Sequence, residues 1–254
     1  MNNLDDVITM LAESLSTARH VTVLTGAGVS AESGIPTFRD AQTGLWSHFD
    51  PEELASPAGF ARNPTLVWRW YAERRVKACV AQPNPAHHAL ADLATLVPKL
   101  TLVTQNIDGL HQRAGSQQVI ELHGSLHRAR CTVDGSIHTT WDYDEELPQC
   151  PTCGALLRPD VVWFGEYLPP GALESAYAAT LDCDVFFSIG TSGVVEPAAS
   201  LPRIALARGA TVLILNLEQT TTARPPLFTI YGKAGEVLPR LVDAVRSLRR
   251  QQGE

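Results

Sequence analysis

The chain has 254 residues, 44% of them hydrophobic and 19% charged, with a formal net charge of −7. That length allows one domain with insertions or two small ones, and the composition is that of an ordinary globular enzyme. The acidic balance gives no electrostatic basis for direct nucleic-acid binding, and no apolar run approaches the ~20 residues of a membrane span.

Met1 to Glu13 carries three acids and no base, which argues against a targeting peptide and for a cytoplasmic protein. Leu4, Val7, Ile8, Leu11 and Leu15 recur at helical spacing and predict an amphipathic helix over 4–19. His20-Val21-Thr22-Val23-Leu24 reads as a buried strand, and Gly26-x-Gly28-x-x-Ala31 follows it as a phosphate-binding turn leading into a helix. In that reading the small residues admit a pyrophosphate to backbone N–H groups, and a helix N-terminus favours its charge. The tail Gly34-Ile35-Pro36-Thr37-Phe38-Arg39-Asp40 is foreign to an ordinary dehydrogenase turn.

Residues 41–80 run from a loop with Gly44, Pro51 and Pro57 into a helix from Pro64 to Val80. Apolar runs at Leu100–Thr104, Val185–Ile189 and Thr211–Leu215 predict further buried strands, with helices at about 86–97, 171–180 and 197–208. Residues 126–160 show neither helical nor strand periodicity and hold three of the five cysteines. The expected fold is α/β, a Rossmann-like parallel sheet covered on both faces, plus a smaller inserted zinc-binding and helical module. Residues 1–40, 81–125 and 161–254 are assigned to the nucleotide-binding part, and 41–80 with 126–160 to the module. Gly26, Gln105, Gly190 and Asn216 all follow strand ends and converge on one crevice.

Four groups of residues could do chemistry. Asn106 and Asp108, after a strand, can address a carboxamide and ribose hydroxyls; an Asn-x-Asp pair also shapes a plain strand-to-helix turn. His123, in Glu121-Leu122-His123-Gly124-Ser125, can act as a general base, although a single histidine is as readily structural. Tyr71 and Arg74 share a helix face, so a hydroxyl and a guanidinium fork can converge on a carboxylate; such a pair on a helix is as readily a plain surface pair. Cys150-Pro151-Thr152-Cys153 is a zinc half-site with Cys131 upstream, whereas Cys79 and Cys183 lack partner spacing.

Gly26 to Asp40, Thr104-Gln105-Asn106-Ile107-Asp108-Gly109-Leu110-His111, His123-Gly124, Val162-Trp163-Phe164-Gly165-Glu166, Gly190-Thr191-Ser192, Asn216-Leu217-Glu218 and Gly232 to Glu236 stand in sirtuin order and spacing. From about residue 5 to 245 the chain resembles a sirtuin, an NAD-dependent protein lysine deacylase. The resemblance implies that Gly26, Ala27, Gly28, Ala31, Glu32, Phe38 and Arg39 line the NAD pocket, with Gln105, Asn106, Ile107 and Asp108 around the nicotinamide and its ribose. It implies that Gly190, Thr191, Ser192, Asn216, Leu217, Glu218 and Ala234 hold phosphates and adenosine, and that His123 is the base, with Asn106 and Asp108 also catalytic. Products would be free lysine, nicotinamide and O-acyl-ADP-ribose.

An acylated-lysine protein or peptide would lie extended between Val162, Trp163, Phe164 and Gly165 on one side and Gly193 to Val195 on the other. Tyr71-Ala72-Glu73-Arg74 is similar to the signature of class III sirtuins, which remove succinyl, malonyl and glutaryl groups, and Gly59 falls where a small residue would widen the acyl pocket. The resemblance also implies structural zinc on Cys131, Cys150 and Cys153. Its fourth expected position is Asp134, with His138 or water as alternatives. Three rival readings stand beside it: an NAD oxidoreductase, which needs an acid at the end of the second strand, near Glu52 and Glu53; a non-catalytic acyl-lysine or nucleotide-binding module, against which His123, Asn106 and Asp108 argue; and a mono-ADP-ribosyltransferase.

Overall fold

The computed structural model describes residues 4–36, 48, 50–141, 147–217 and 224–252. Six strands form a parallel sheet: β1 (Val21–Thr25), β2 (Leu100–Thr104), β3 (Ile120–Glu121), β7 (Val185–Ile189), β8 (Thr211–Asn216) and β9 (Leu227–Tyr231). Their order is β3-β2-β1-β7-β8-β9. The chain builds outward from β1 to one edge, returns to β7 beside β1, and builds to the other edge. That is the doubly wound Rossmann order, whose direction reverses between β1 and β7.

The strands alternate between two cores. Val21, Val23, Leu102, Val185, Phe187, Ile189, Leu213 and Leu215 face one layer; Leu24, Val103, Phe186 and Val212 face the other. The first layer is covered by α1 (Leu4–Thr17), α6 (Pro85–Leu96) and α10 (Ala234–Gln252). The second is covered by α8 (Pro170–Asp182) and α9 (Leu201–Ala207). All five residues of β1 and of β7 are buried, which is why their sequences read as continuous apolar runs.

A second assembly joins α3 (Pro51–Leu54), α4 (Pro57–Arg62) and α5 (Pro64–Val80) to a three-stranded antiparallel sheet. That sheet contains β4 (Gly124–Cys131), β5 (Ile137–His138) and β6 (Leu157–Val161) in the order β5-β4-β6. Its core gathers Leu54, Phe60, Trp68, Trp70, Tyr71, Leu126, Leu157 and Trp163. The strands of 126–160 escape sequence reading for two reasons. The β4–β6 register shifts between Gly124 and Ala129, and Arg128 and Arg130 of β4 both bind Asp160 of β6, which is buried. A bulge and a buried charge cluster erase the period-two pattern.

The turn after β1 leads into one helical turn, α2 (Gly28–Ala31), rather than a full helix. Among the described residues, no helix is long and apolar enough to cross a membrane.

Candidate active site

The carboxyl ends of β1, β7 and β8 carry two loops pressed together. The Gly26 N–H donates to the Ile189 carbonyl at 3.0 Å, and the Gly28 N–H to the Gly190 carbonyl at 2.9 Å. A Cβ on Gly28 would lie 2.8 Å from Gly190 Cα, and one on Gly190, at φ +61°, 2.5 Å from the Val29 nitrogen. The glycines thus serve first to let two loops interlock. The N–H groups of Gly26 and Gly28 are committed to backbone carbonyls, a use of the glycines that the sequence reading does not include.

Beside this interlock lies a cleft of about 430 Å³ lined by Gly28, Ala31, Glu32, Gly190, Leu215, Asn216, Leu217, Gly232, Lys233 and Ala234. Seven predicted positions meet there: Gly28, Ala31, Glu32, Gly190, Asn216, Leu217 and Ala234. The Glu32 carboxylate accepts the Gly235 N–H at 2.9 Å and so ties the first loop to the start of α10. Asn216 braces the loops as well, donating from Nδ2 to the Thr191 carbonyl at 2.8 Å. Ala27, Thr191 and Ser192 belong to the two loops themselves. Lys233 was not predicted, although it sits in the quoted Gly232 to Glu236 block. Phe38, Arg39 and Glu218 lie outside the described residues.

The end of β2 supplies the second half of the crevice. Asn106 donates from Nδ2 to the Gly26 carbonyl at 3.0 Å and to Ser30 Oγ at 3.1 Å. Ser30 in turn donates to Asp108 Oδ2 at 2.7 Å. Asp108 is buried, and desolvation pushes its carboxyl up against the opposing hydrogen bonds from the Leu110 N–H and Ser30. The Ile107 carbonyl accepts the Leu126 N–H at 2.8 Å, which joins this loop to β4. Gln105 turns its carbonyl toward His123, whose Nδ1–H donates to it at 3.0 Å. That bond assigns the proton to Nδ1 and leaves Nε2 as the basic nitrogen. Burial holds the His123 pKa below its usual value, against the opposing Gln105 bond.

Sequence reading missed the floor under these residues. Thr25 Oγ1 donates to Thr104 Oγ1 at 2.8 Å and meets His111 Nε2 at 2.9 Å. His87 lies 3.5 Å from Ser30 Oγ and its ring packs 4.8 Å from that of His111. No local spacing marks Ser30, His87 or His111 as partners, because they come from three separate elements.

On α5, Tyr71 is buried and accepts the Trp163 indole N–H at 3.0 Å. Arg74, one turn on, sits 4.8 Å over the Trp70 ring. Arg74 and Asp108 each feel the other's charge. Burial pushes the Tyr71 hydroxyl well up, so it is a neutral donor. Trp163 is buried in the second core, whereas Phe164 is exposed. The Val162 N–H donates to the His123 carbonyl at 3.0 Å, and Gly165 takes φ +85° in the turn that follows. Gly59 does not face this region: a Cβ there would meet the Glu53 and Glu52 carbonyls at 2.3 and 2.8 Å. Its smallness serves the packing of α4 on α3, a correction to the predicted pocket role.

Cys131, Asp134, Cys150 and Cys153 bring their ligand atoms within 4.8 Å of one another. The Cys131 and Cys153 sulfurs are 3.5 Å apart, close to an edge of a zinc–thiolate tetrahedron. The backbone N–H of Thr152 leads the bonds that draw the Cys150 thiol down to about 6, favouring the thiolate a metal requires. Asp134 is anchored by the Ser136 N–H at 2.8 Å and hydroxyl at 2.6 Å. His138 Nε2 stands outside this set, 3.1 Å from Ser136 Oγ and 3.6 Å from Cys150 Sγ. Three thiolates and one carboxylate fit a structural zinc.

Glu52 and Glu53 lie in α3, whose N-terminus Asp50 caps, and end no strand. Neither therefore stands, among the described residues, at a strand end where an ordinary dehydrogenase carries its ribose-binding acid.

A sequence model of the Sir2 family matches residues 26–197. NAD-dependent protein deacylase 1 of Pseudomonas aeruginosa is 51% identical over 241 residues, 91% of this chain and 96% of that one. A Sir2 homologue solved in complex with NAD superposes with a TM-score of 0.86 at 48% identity, covering 94% of each chain. Sir2Af2 bound to a myristoylated histone peptide gives a TM-score of 0.77 at 40% identity, covering 97% of this chain and 99% of that one. With the interlocked glycine loops, the Asn106–Ser30–Asp108 network and the Cys-rich metal site, these matches establish that the chain belongs to the Sir2 family.

Proposed function

We propose that the protein is an NAD-dependent protein lysine deacylase that removes succinyl, malonyl and glutaryl groups and also accepts acetyl. The observation that carries the acyl preference is a pair of hydrogen bonds: the Trp163 indole N–H donates to Tyr71 at 3.0 Å, and the adjoining Val162 N–H donates to the His123 carbonyl at 3.0 Å. They support reading the Tyr71–Arg74 pair as neighbours of His123, at the end of the crevice that holds Asn106 and Asp108. Arg binds a carboxylate through two parallel hydrogen bonds and Tyr adds a directed one, so together they suit an acyl chain that ends in a charge.

In this reading Gly26, Ala27, Gly28, Ala31, Glu32, Gly190, Thr191, Ser192, Asn216, Leu217 and Ala234 hold the phosphate and adenosine side of NAD. Gln105, Asn106, Ile107 and Asp108 surround its nicotinamide ribose. When bound, NAD supplies the ribose carbon from which nicotinamide departs and the hydroxyl that takes over the acyl group. His123 keeps its proton on Nδ1 and offers Nε2 to that hydroxyl, and its lowered pKa keeps it in the basic form at neutral pH. Asn106 and Asp108 are fixed by Ser30 before any ligand arrives, so their reorganisation cost is small. Val162 to Gly165 and Gly193 to Val195 flank the substrate peptide; exposed Phe164, Val194 and Val195 are available to it. We assign the NAD site to residues 1–40, 81–125 and 161–254, and the zinc site and acyl pocket to 41–80 with 126–160.

The test is incubation with NAD and succinyl-lysine, acetyl-lysine and long-chain acyl-lysine peptides of one sequence, following peptide mass and nicotinamide. NAD-dependent loss of the succinyl group, faster than loss of the other two, is the expected result. Removal of acetyl alone overturns the acidic-acyl preference. Formation of NADH, or of ADP-ribosylated protein without deacylation, replaces the reading with one of its rivals.

A further inference from the structure

The Tyr71 hydroxyl takes its hydrogen bond from a buried donor. Tyr71 is 4% exposed and Trp163 3%. The indole N–H, which has no lone pair to offer, donates to the Tyr71 oxygen at 3.0 Å. Arg74, on the same face of α5, can likewise only donate. With the indole N–H on one lone pair of the oxygen, the phenolic proton points away from Trp163. The indole is the hydrogen-bond partner of Tyr71 among the described residues.

Trp163 is itself held from three sides. Its backbone N–H donates to Glu166 Oε2 at 2.9 Å, and the same carboxylate pairs with Arg158. The Arg158 guanidinium carbon lies 3.4 Å over the indole ring. A cation on the ring face is attracted to the π electrons and draws density from the indole, which strengthens N–H as a donor. Phe60 packs against the ring at 5.3 Å and limits its rotation.

We propose that Trp163 is a positioning residue for acyl selection: its indole N–H aims the Tyr71 proton at the terminal carboxylate of a dicarboxylic acyl group. The proposal deepens the acidic-acyl reading and rests on it. The Trp163 side chain is buried and acts through Tyr71. A site built to donate to a substrate oxygen discriminates strongly against the analogue that lacks it, because the donor is then left unsatisfied.

The experiment measures kcat/KM on succinyl- and acetyl-lysine peptides of one sequence, at saturating NAD, for the full chain and its Tyr71→Phe, Trp163→Phe, double and Arg74→Met variants. Trp163→Phe retains an aromatic ring and deletes the N–H. The succinyl-to-acetyl ratio is expected to fall about tenfold in Trp163→Phe, chiefly through KM for the succinyl peptide, to fall similarly in Tyr71→Phe, and to fall no further in the double variant. A purely packing role lowers both substrates together and leaves the ratio intact, which overturns the proposal, as does an additive double variant. A ratio indifferent to both Tyr71→Phe and Arg74→Met fells the acidic-acyl reading itself, and the proposal with it. If Trp163→Phe does not fold, Arg158→Met serves in its place: the expected ratio is about threefold lower, and an unchanged ratio counts against the proposal.

Discussion

His123 and Gln105 are joined by one hydrogen bond, imidazole Nδ1–H to backbone carbonyl at 3.0 Å, and that bond leaves Nε2 as the unprotonated nitrogen of the neutral ring. A side chain that keeps the bond but lacks the second nitrogen should keep the fold and lose turnover. His123→Asn is expected to lower deacylation at least a hundredfold with little change in melting temperature. Burial depresses the His123 pKa below 6.5, and the basic form is the active one, so the acidic limb of the pH–rate profile should fall below pH 6.5. A limb centred above that value removes the base assignment.

Arg74 is the charged half of the proposed acyl pair, and a neutral side chain of similar length tests it directly. Arg74→Met should lower desuccinylation about a hundredfold and deacetylation far less, since an unsatisfied carboxylate is costlier to bury than a methyl group. Steady-state kinetics on the two peptides reads the difference. Equal losses would falsify the carboxylate role.

Gly190 has two constraints at once: a positive φ and a neighbour 2.5 Å from any Cβ. Gly190→Ala is expected to separate the interlocked loops, lowering stability by about 2–4 kcal/mol and weakening NAD binding more than peptide binding. Calorimetric titration with NAD and a urea melt give the two numbers.

The buried histidines make an acid-sensitive floor. Burial lowers His111 to about 3 and His87 to about 4, whereas both return to about 6.5 when unfolded. Between those values the unfolded chain binds more protons. Stability is therefore full above pH 6.5 and drops as pH falls from 6.5 toward 4, by up to about 1.4 kcal/mol per pH unit for each histidine. Urea midpoints at pH 7 and pH 5 should show the loss, and His111→Gln should flatten it. A flat wild-type curve across that window refutes the neutral assignment.

Purified protein should contain about one zinc per chain by elemental analysis, because three thiolates and a carboxylate complete a tetrahedron. Asp134→Cys should slow zinc loss to a chelator, and Asp134→Ala should hasten it. If His138→Ala has the larger effect, the carboxylate is not the fourth ligand.

Much of this molecule is legible along the chain, for identifiable reasons. The parallel strands are buried on both faces, so their apolar runs stand out, and α5 begins at Pro64 behind an Asn63 cap, as its sequence suggests. The antiparallel strands are not legible, since Arg128, Arg130 and Asp160 form a buried charge cluster only when two distant strands pair. The crevice loops are visible as glycine motifs, but the motif does not say that Gly28 and Gly190 pack against each other. Ser30 and His111 were passed over because their partners lie 78 and 86 residues away.

The Glu32 carboxylate reaches the Gly235 N–H across 203 residues of sequence. Ala234, Val237, Leu238 and Leu241 complete the same core as α1. During synthesis, therefore, the glycine loops emerge early but lack the wall that α10 provides. The cleft beside them closes only when residues 232–245 have left the ribosome and docked, so a nascent chain carries His123 through the making of residues 124 to 232 without a finished pocket beside it.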